Sequence, residues 1–125
     1  MKKILLMDDN ELFSKGLKRS LDDKNFSIDI VNSVGDAKKN IQDQKYECLI
    51  LDMDTNGKTA ASEVHSWVKK NHNNIPSILI SAHPCEEDEI NNHLRKGFSA
   101  FFRSDDIRLR EKLKESIRAV TKSNN

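Results

Sequence analysis

Five times along this chain a short apolar run is followed by a stretch whose apolar residues recur at helical spacing. That alternation limits the available folds more than any other feature. Lys3 to Met7 runs into Asp8-Asp9-Asn10, and Leu12, Phe13, Leu17 and Leu21 then mark a helix. Phe26, Ile28 and Ile30 alternate with polar residues, as in a more exposed strand, and a second helix is expected from Val34 to Gln44. Tyr46-Glu-Cys-Leu-Ile-Leu-Asp-Met-Asp54 is apolar from Cys48 to Leu51 without alternation, the pattern of a central strand covered on both faces. After a loop through Asn56-Gly57, Ala60, Val64, Trp67 and Val68 give a third helical stripe. Pro76 opens a fourth strand through Ile78-Leu79-Ile80, and the acidic run Glu86 to Glu89 suits a helix amino terminus, with Gly97 closing that helix. Phe98 to Phe102 reads as the last strand, and Ile107, Leu109, Leu113, Ile117 and Val120 outline the last helix. Strands alternating with helices in this way predict a doubly wound α/β fold, a parallel sheet with helices on both faces.

Length and composition set the outer bounds. The 125 residues make one domain, and 36% hydrophobic against 33% charged residues allows one core under a highly charged surface. A formal net charge of +1 provides no global field for nucleic acid or an anionic membrane, so no nucleic-acid contact by this domain itself is expected. No signal peptide and no membrane span are read, and a cytoplasmic location is expected. Cys48 and Cys85 lie without close Cys or His spacing, which argues for free thiols rather than a disulfide or a zinc site.

In a doubly wound sheet, function gathers beyond the carboxyl ends of the strands. Those ends bring together Asp8 and Asp9, then Asp52, then Ser81, then Arg103 and Ser104. The plainer role for Asp52 is to stop its strand and cap the next turn. Clustered carboxylates, however, raise each other's pKa unless a cation intervenes. Oxygen-only ligands with few carboxylates favour Mg²⁺ awaiting phosphate oxygens. An aspartate beside such a metal can serve as the nucleophile in phosphoryl transfer, and Asp52 is the natural choice.

The residues at these strand ends resemble the receiver domain of bacterial response regulators, over almost the whole chain. Leu5-Leu6-Met7-Asp8-Asp9-Asn10 is similar to the family's first strand and acidic pair, and Tyr46-Glu-Cys-Leu-Ile-Leu-Asp52 to the strand leading to its phosphoacceptor. Ser81-Ala82 matches the hydroxyl-small pair, and Gly97-Phe-Ser-Ala-Phe-Phe102 the segment that carries a switch aromatic, here Phe101. Asp9 to Leu17 and Ser116 to Val120 resemble receivers of LuxR/NarL/FixJ-type transcriptional regulators.

The resemblance implies a flavodoxin-like five-stranded sheet in the order 2-1-3-4-5, with residues 1–121 as receiver and 122–125 as a polar tail leading towards an output domain. It implies that Asp9, Asp52 and the backbone carbonyl of Asp54 hold Mg²⁺, with Asp8 close behind. Asp52 would take its phosphoryl group from a histidine kinase or phosphotransfer protein, Ser81 would bond the phosphate, and Phe101 would turn inward. The surface of the last two helices and fifth strand would then change and control an output, expected to be transcription. Such a module is not an enzyme in the ordinary sense. The plainer roles are that Ser81 ends a strand and Phe101 is core.

Two departures stand out. The family's lysine position falls on Ser104, and strand alternation should turn Arg103 away from where that lysine reaches. Ser104 also fits as a helix N-cap ahead of Asp105-Asp106 in a first turn. The loop after Asp52 offers Asn56-Gly57 in place of the usual proline and later glycine. A receiver-like interaction module that works without phosphate is therefore an alternative. A haloacid-dehalogenase-like phosphatase is a second, since Leu51-Asp52-Met53-Asp54-Thr55 imitates its paired aspartates, but Asp8-Asp9 come too early for that order. Arg108, Arg110, Lys112, Lys114 and Arg118 could face Glu86 to Glu89 of a second copy in a homodimer, although solvated surface is the simpler reading. The histidines at 65, 72, 83 and 93 lack metal-ligand spacing and read as surface or filler, with His83 at the rim of the site.

Overall fold

The computed structural model describes residues 2–55, 59–71, 75–82 and 86–121. The elements follow one another as β1 (Lys2–Met7), α1 (Glu11–Leu21), β2 (Phe26–Val31), α2 (Val34–Asp43), β3 (Cys48–Asp52), α3 (Ala60–Asn71), β4 (Ser77–Ser81), α4 (Glu87–Arg95), β5 (Ala100–Arg103) and α5 (Leu109–Val120). All strand pairs are parallel, and the sheet order is β2-β1-β3-β4-β5. This is the flavodoxin-like order that the resemblance implies, with its switch point between β1 and β3. The readings of Asn56-Gly57, His72, His83, Cys85 and the tail 122–125 lie outside the described residues.

Side-chain alternation divides the core into two layers. Leu5, Met7, Leu49, Leu51 and Leu79 face α2 and α3, meeting Ala37, Ile41, Val64 and Val68. Ile4, Leu6, Ile50, Ile78 and Ile80 face α1 and α5, meeting Leu17, Leu21, Leu113 and Ile117. Every residue of β3 and β4 is buried, which explains their unbroken apolar runs. Hydrocarbon buried on both faces favours the fold by about 1.5–3 kcal/mol per large side chain, before entropy is counted. The helix starts follow local rules: Asn10 caps α1 by accepting from the Phe13 N–H at 3.1 Å, and Ser33 caps α2 by accepting from Asp36 at 3.1 Å.

Four sequence expectations need correction at the edges. Leu12 is 86% exposed, because α1 turns its Leu17 and Leu21 side to the sheet and Leu12 falls on the opposite side. Ile107 is 97% exposed and precedes α5, which begins only at Leu109. Ser104 is consequently not the α5 N-cap. Asp106 organises the intervening turn instead, its Oδ1 accepting from the Arg108 N–H at 2.8 Å and its carbonyl from the Leu109 N–H at 3.0 Å. β5 begins at Ala100, not Phe98, although Phe98 is buried just before it.

The helices are unequally anchored. α4 buries none of its residues fully, and Leu94 remains 40% exposed. Gly97, with φ of 109°, ends that helical segment as expected. Among the described residues no helix is long and apolar enough to cross a membrane.

Candidate functional site

The carboxyl ends of β1, β3 and β4 converge on one acidic cluster. Asp8 follows β1 directly, its N–H donating to the Val31 carbonyl at 3.0 Å, and it is almost fully buried. Its Oδ1 accepts from the Asn10 N–H at 2.9 Å. Its Oδ2 is buried and, among the described residues, receives no N–H or hydroxyl donor. Asp9 stands beside it in an exposed position, and its charge acts on Asp8.

Asp52 is the last residue of β3 and is 7% exposed. Its Oδ1 accepts from the Asp54 N–H at 2.8 Å, and the Asp8 carboxyl lies within hydrogen-bonding reach. Burial pushes the Asp52 carboxyl up to about 7, and the neighbouring charges of Asp8 and Asp54 add to the shift against the opposing Asp54 N–H. Burial likewise raises Asp8 above the usual carboxylate range, with Asp9 and Asp54 acting in the same direction. Both shifts have the signature of acids held together without a compensating positive charge.

The Asp54 side chain has a structural task of its own. Its Oδ2 accepts from the Ala82 N–H at 2.9 Å and from the Ser81 hydroxyl at 3.4 Å, tying the loop after β3 to the end of β4. Thr55, fully buried, reinforces that loop: its N–H donates to the Asp52 carbonyl at 3.2 Å and its hydroxyl to the Met7 carbonyl at 3.4 Å. Sequence reasoning passed over Thr55 as a site residue. A threonine three positions beyond a strand-end aspartate is a weak signal by itself, because only the fold brings Met7 within its reach.

The structure thus gathers Asp8, Asp9, Asp52, Asp54 and Ser81. Ser104 meets the cluster through its backbone, its N–H donating to the Ser81 carbonyl at 2.8 Å. Arg103 is turned to Asp105, with Nη2 at 2.7 Å from Oδ2. Phe101 lies one turn of the pleat below, half-buried against the α2–α3 layer, its ring parallel to that of His93 with centroids 6.4 Å apart. His93 and His65 are packing groups rather than surface. His65 stacks on Phe98 at 4.0 Å, and His93 meets Phe98 edge-on at 6.1 Å.

Among the described residues no three His, Cys, Asp or Glu side chains form a ready-made metal cage. A divalent ion would therefore rely on fewer carboxylates together with backbone oxygen. The donor set fits one of the hard, oxygen-seeking kind. Asp8 carries a buried oxygen without a donor among the described residues, and burial together with the neighbouring carboxylates raises Asp52 beside it.

Residues 4–114 match the model of the response regulator receiver domain. No curated protein matches the sequence. Among solved structures, the chain is similar to the signal receiver domain of a protein described as a LuxO repressor from Vibrio parahaemolyticus, at 24% identity and a TM-score of 0.85, covering 97% of this chain and 90% of that one. It is similar to a two-component response regulator from Clostridium difficile at 23% identity and a TM-score of 0.82, covering 100% and 99%. The beryllofluoride-activated NtrC4 receiver domain dimer matches at 21% identity and a TM-score of 0.85, covering 98% of each chain. At these identities the likeness speaks for the fold.

Proposed function

The chain belongs to the response regulator receiver domain family, and from that premise we propose that it is a phosphorylation-dependent switch whose phosphoacceptor is Asp52. The observation that carries this reading is the buried Asp52 carboxyl at the end of β3, raised to about 7 among Asp8 and Asp54. Receiver domains are signalling modules of two-component systems rather than typical enzymes. The donor is a phosphohistidine of a histidine kinase or phosphotransfer protein, the setting is cytoplasmic, and the output is transcription. Residues 1–121 form the receiver.

Asp9, Asp52 and the Asp54 carbonyl would hold Mg²⁺, with Asp8 close behind. When bound, the ion keeps the carboxylates ionised and offsets charge on the phosphoryl oxygens. The Asp54 N–H fixes the plane of the Asp52 carboxylate through Oδ1, leaving the other oxygen as nucleophile. That oxygen forms a bond to phosphorus as the P–N bond to the donor imidazole breaks, and the imidazole leaves with the electron pair. The Ser81 hydroxyl exchanges Asp54 for a phosphoryl oxygen. Phe101 then turns inward past His93 and repacks the α4-β5-α5 surface, a shift between two populations. α4, with no fully buried residue, is the element least costly to move. The same surface serves a homodimer. The intrachain pairs Arg108–Glu111, at 3.3 Å, and Lys112–Asp106 already occupy two of the cations available to it.

Intact mass after incubation with acetyl phosphate and Mg²⁺ tests the reading: a phosphoryl adduct is expected on the wild type and none on Asp52→Asn. A second reading, an interaction module independent of phosphate, draws on Ser104 and on the charges acting on Asp52, all of them carboxylates. No adduct on the wild type with any small donor would favour it.

A further inference from the structure

The sheet has two open edges, β2 with six residues and β5 with four. An open edge offers a row of backbone N–H and C=O groups to any strand that meets it. In β2 these groups alternate between β1 and the outside. The Asn25 and Val31 carbonyls accept from the N–H groups of Lys2 and Asp8, so the outward groups belong to Phe26, Ile28 and Ile30.

Most of those outward groups are already taken by α1 and the turn after it. The Ile28 N–H donates to Asp22 Oδ1 at 2.7 Å, and the Lys18 ammonium donates to the Ile28 carbonyl. The same two side chains meet each other, with Lys18 Nζ at 2.8 Å from Asp22 Oδ2. Asp23 closes Phe26 in a similar way: its Oδ1 accepts from the Phe26 N–H at 3.0 Å, and its own N–H donates to the Phe26 carbonyl at 3.1 Å. Among the described residues no such bond reaches Ile30, which lies in a groove lined also by Lys18, Ile28, Asp29, Asn40 and Gln44.

As an ion pair, Lys18 and Asp22 contribute little, since their side chains are 41% and 38% exposed. Their position matters more. Both end on Ile28, the residue about which β2 is complementary to itself. Antiparallel pairing with β2 of a second copy about Ile28 sets Phe26 opposite Ile30 and Ser27 opposite Asp29, so no like charges face each other. In that register each Ile28 would exchange two hydrogen bonds with its counterpart, and Lys18 and Asp22 occupy the groups that would make them.

We propose that Lys18 and Asp22 form a latch over the open edge of β2, and that the partner it excludes is the same strand of a second copy. Asp23 guards the outer pair at Phe26, while the latch guards the central one. This surface is separate from α4-β5-α5, because β2 and β5 are opposite edges of the sheet.

The full chain is run by size-exclusion chromatography with light scattering over a range of concentrations, as wild type, as Lys18→Met/Asp22→Ala, and as that double variant with Ile30→Pro added. Amide exchange at Ile28 is read in each. Removing the latch should tighten self-association by about tenfold over the wild type. The Ile28 N–H should exchange quickly in the dilute double variant and slow again as concentration rises, which a loss of stability alone would not produce. The Ile30 N–H faces outward, where an edge strand tolerates proline, so Ile30→Pro should return self-association to the wild-type level. If the double variant does not fold, Lys18→Met alone frees only the Ile28 carbonyl and should shift self-association in the same direction. Self-association equal to that of the wild type, with Ile28 exchange independent of concentration, overturns the latch. Association that survives Ile30→Pro overturns it as well, since it would arise from another surface.

Discussion

Ser81 and Asp54 are joined across the mouth of the site: the serine hydroxyl and the N–H of the following Ala82 both donate to one oxygen of Asp54, at 3.4 and 2.9 Å. Two loops that carry the candidate chemistry are thereby held at one carboxylate. Asp54→Ala removes the acceptor from the Ala82 amide and should cost about 1–2 kcal/mol of stability. It should also speed hydrogen exchange at Ala82. Ser81→Ala removes the longer of the two bonds to Asp54 and should cost less. Urea titration with amide exchange measures both, and equal costs would show that the Ala82 bond contributes nothing.

The raised Asp52 carboxyl makes stability depend on pH in a stated direction. A carboxyl raised on folding stabilises the native state fully below its unfolded pKa of about 4 and loses that contribution as pH rises through its folded value. With that value at about 7, wild-type stability should fall between those limits by something on the order of 2–4 kcal/mol. Asp8, raised for the same reason, acts in the same sense. Asp52→Asn should flatten the profile and be the more stable protein at neutral pH. Adding Mg²⁺ should raise the neutral-pH midpoint of the wild type and leave Asp52→Asn nearly unmoved. A wild-type profile without slope from acid to neutral pH would sink this account.

Gly97 tests how α4 is joined to β5. Its φ of 109° disfavours any residue with a Cβ, and an added Cβ would meet the Lys69 Nζ at 3.4 Å and the His65 ring at 3.5 Å. Those contacts are ordinary, so the penalty of Gly97→Ala is mainly conformational, about 1–2 kcal/mol. The Lys69 amine also donates to the Lys96 carbonyl at 3.2 Å, which draws the same turn onto α3. The variant should lose protection first in α4, as read by native-state hydrogen exchange. Uniform loss across all helices would place the strain elsewhere.

The fold was legible where the pattern reports burial on both sides, and hard to read where burial is one-sided. Leu49, Ile50, Leu51, Ile78, Leu79 and Ile80 are apolar because helices cover both faces of β3 and β4, and no other placement suits such runs. Leu12 and Ile107 are equally apolar letters, yet both are exposed near the carboxyl end of the sheet, since their helix-like spacing did not state which side faces inward. Ser104 carried a good capping signal, but Asp106 competes for the same turn and wins through its bonds to Arg108 and Lys112. At the site, Asp8, Asp52 and Ser81 could be placed because each ends a strand or directly follows one. The bonds of Asp54 and Thr55 to other loops could not, since they depend on partners 28 and 48 residues away.

The two helices flanking β5 should respond very differently to truncation. In α5, Leu113 and Ile117 are fully buried between the sheet and α1, so Leu113→Ala leaves a cavity and should cost about 2–5 kcal/mol. In α4, Leu94 is 40% exposed and no residue is fully buried, so Leu94→Ala should change stability by less than about 0.5 kcal/mol. The His93 ring of α4 packs against Phe98 and Phe101 and so joins that helix to the sheet. His93→Ala should therefore release α4 without unfolding the domain, lowering exchange protection from Glu87 to Arg95 while α5 keeps its own. Urea midpoints and exchange rates for Leu113→Ala, Leu94→Ala and His93→Ala decide the matter. If α4 amides in the wild type are protected as strongly as those of α5, the helix is anchored by contacts other than these, and a movable α4-β5-α5 surface loses its physical basis.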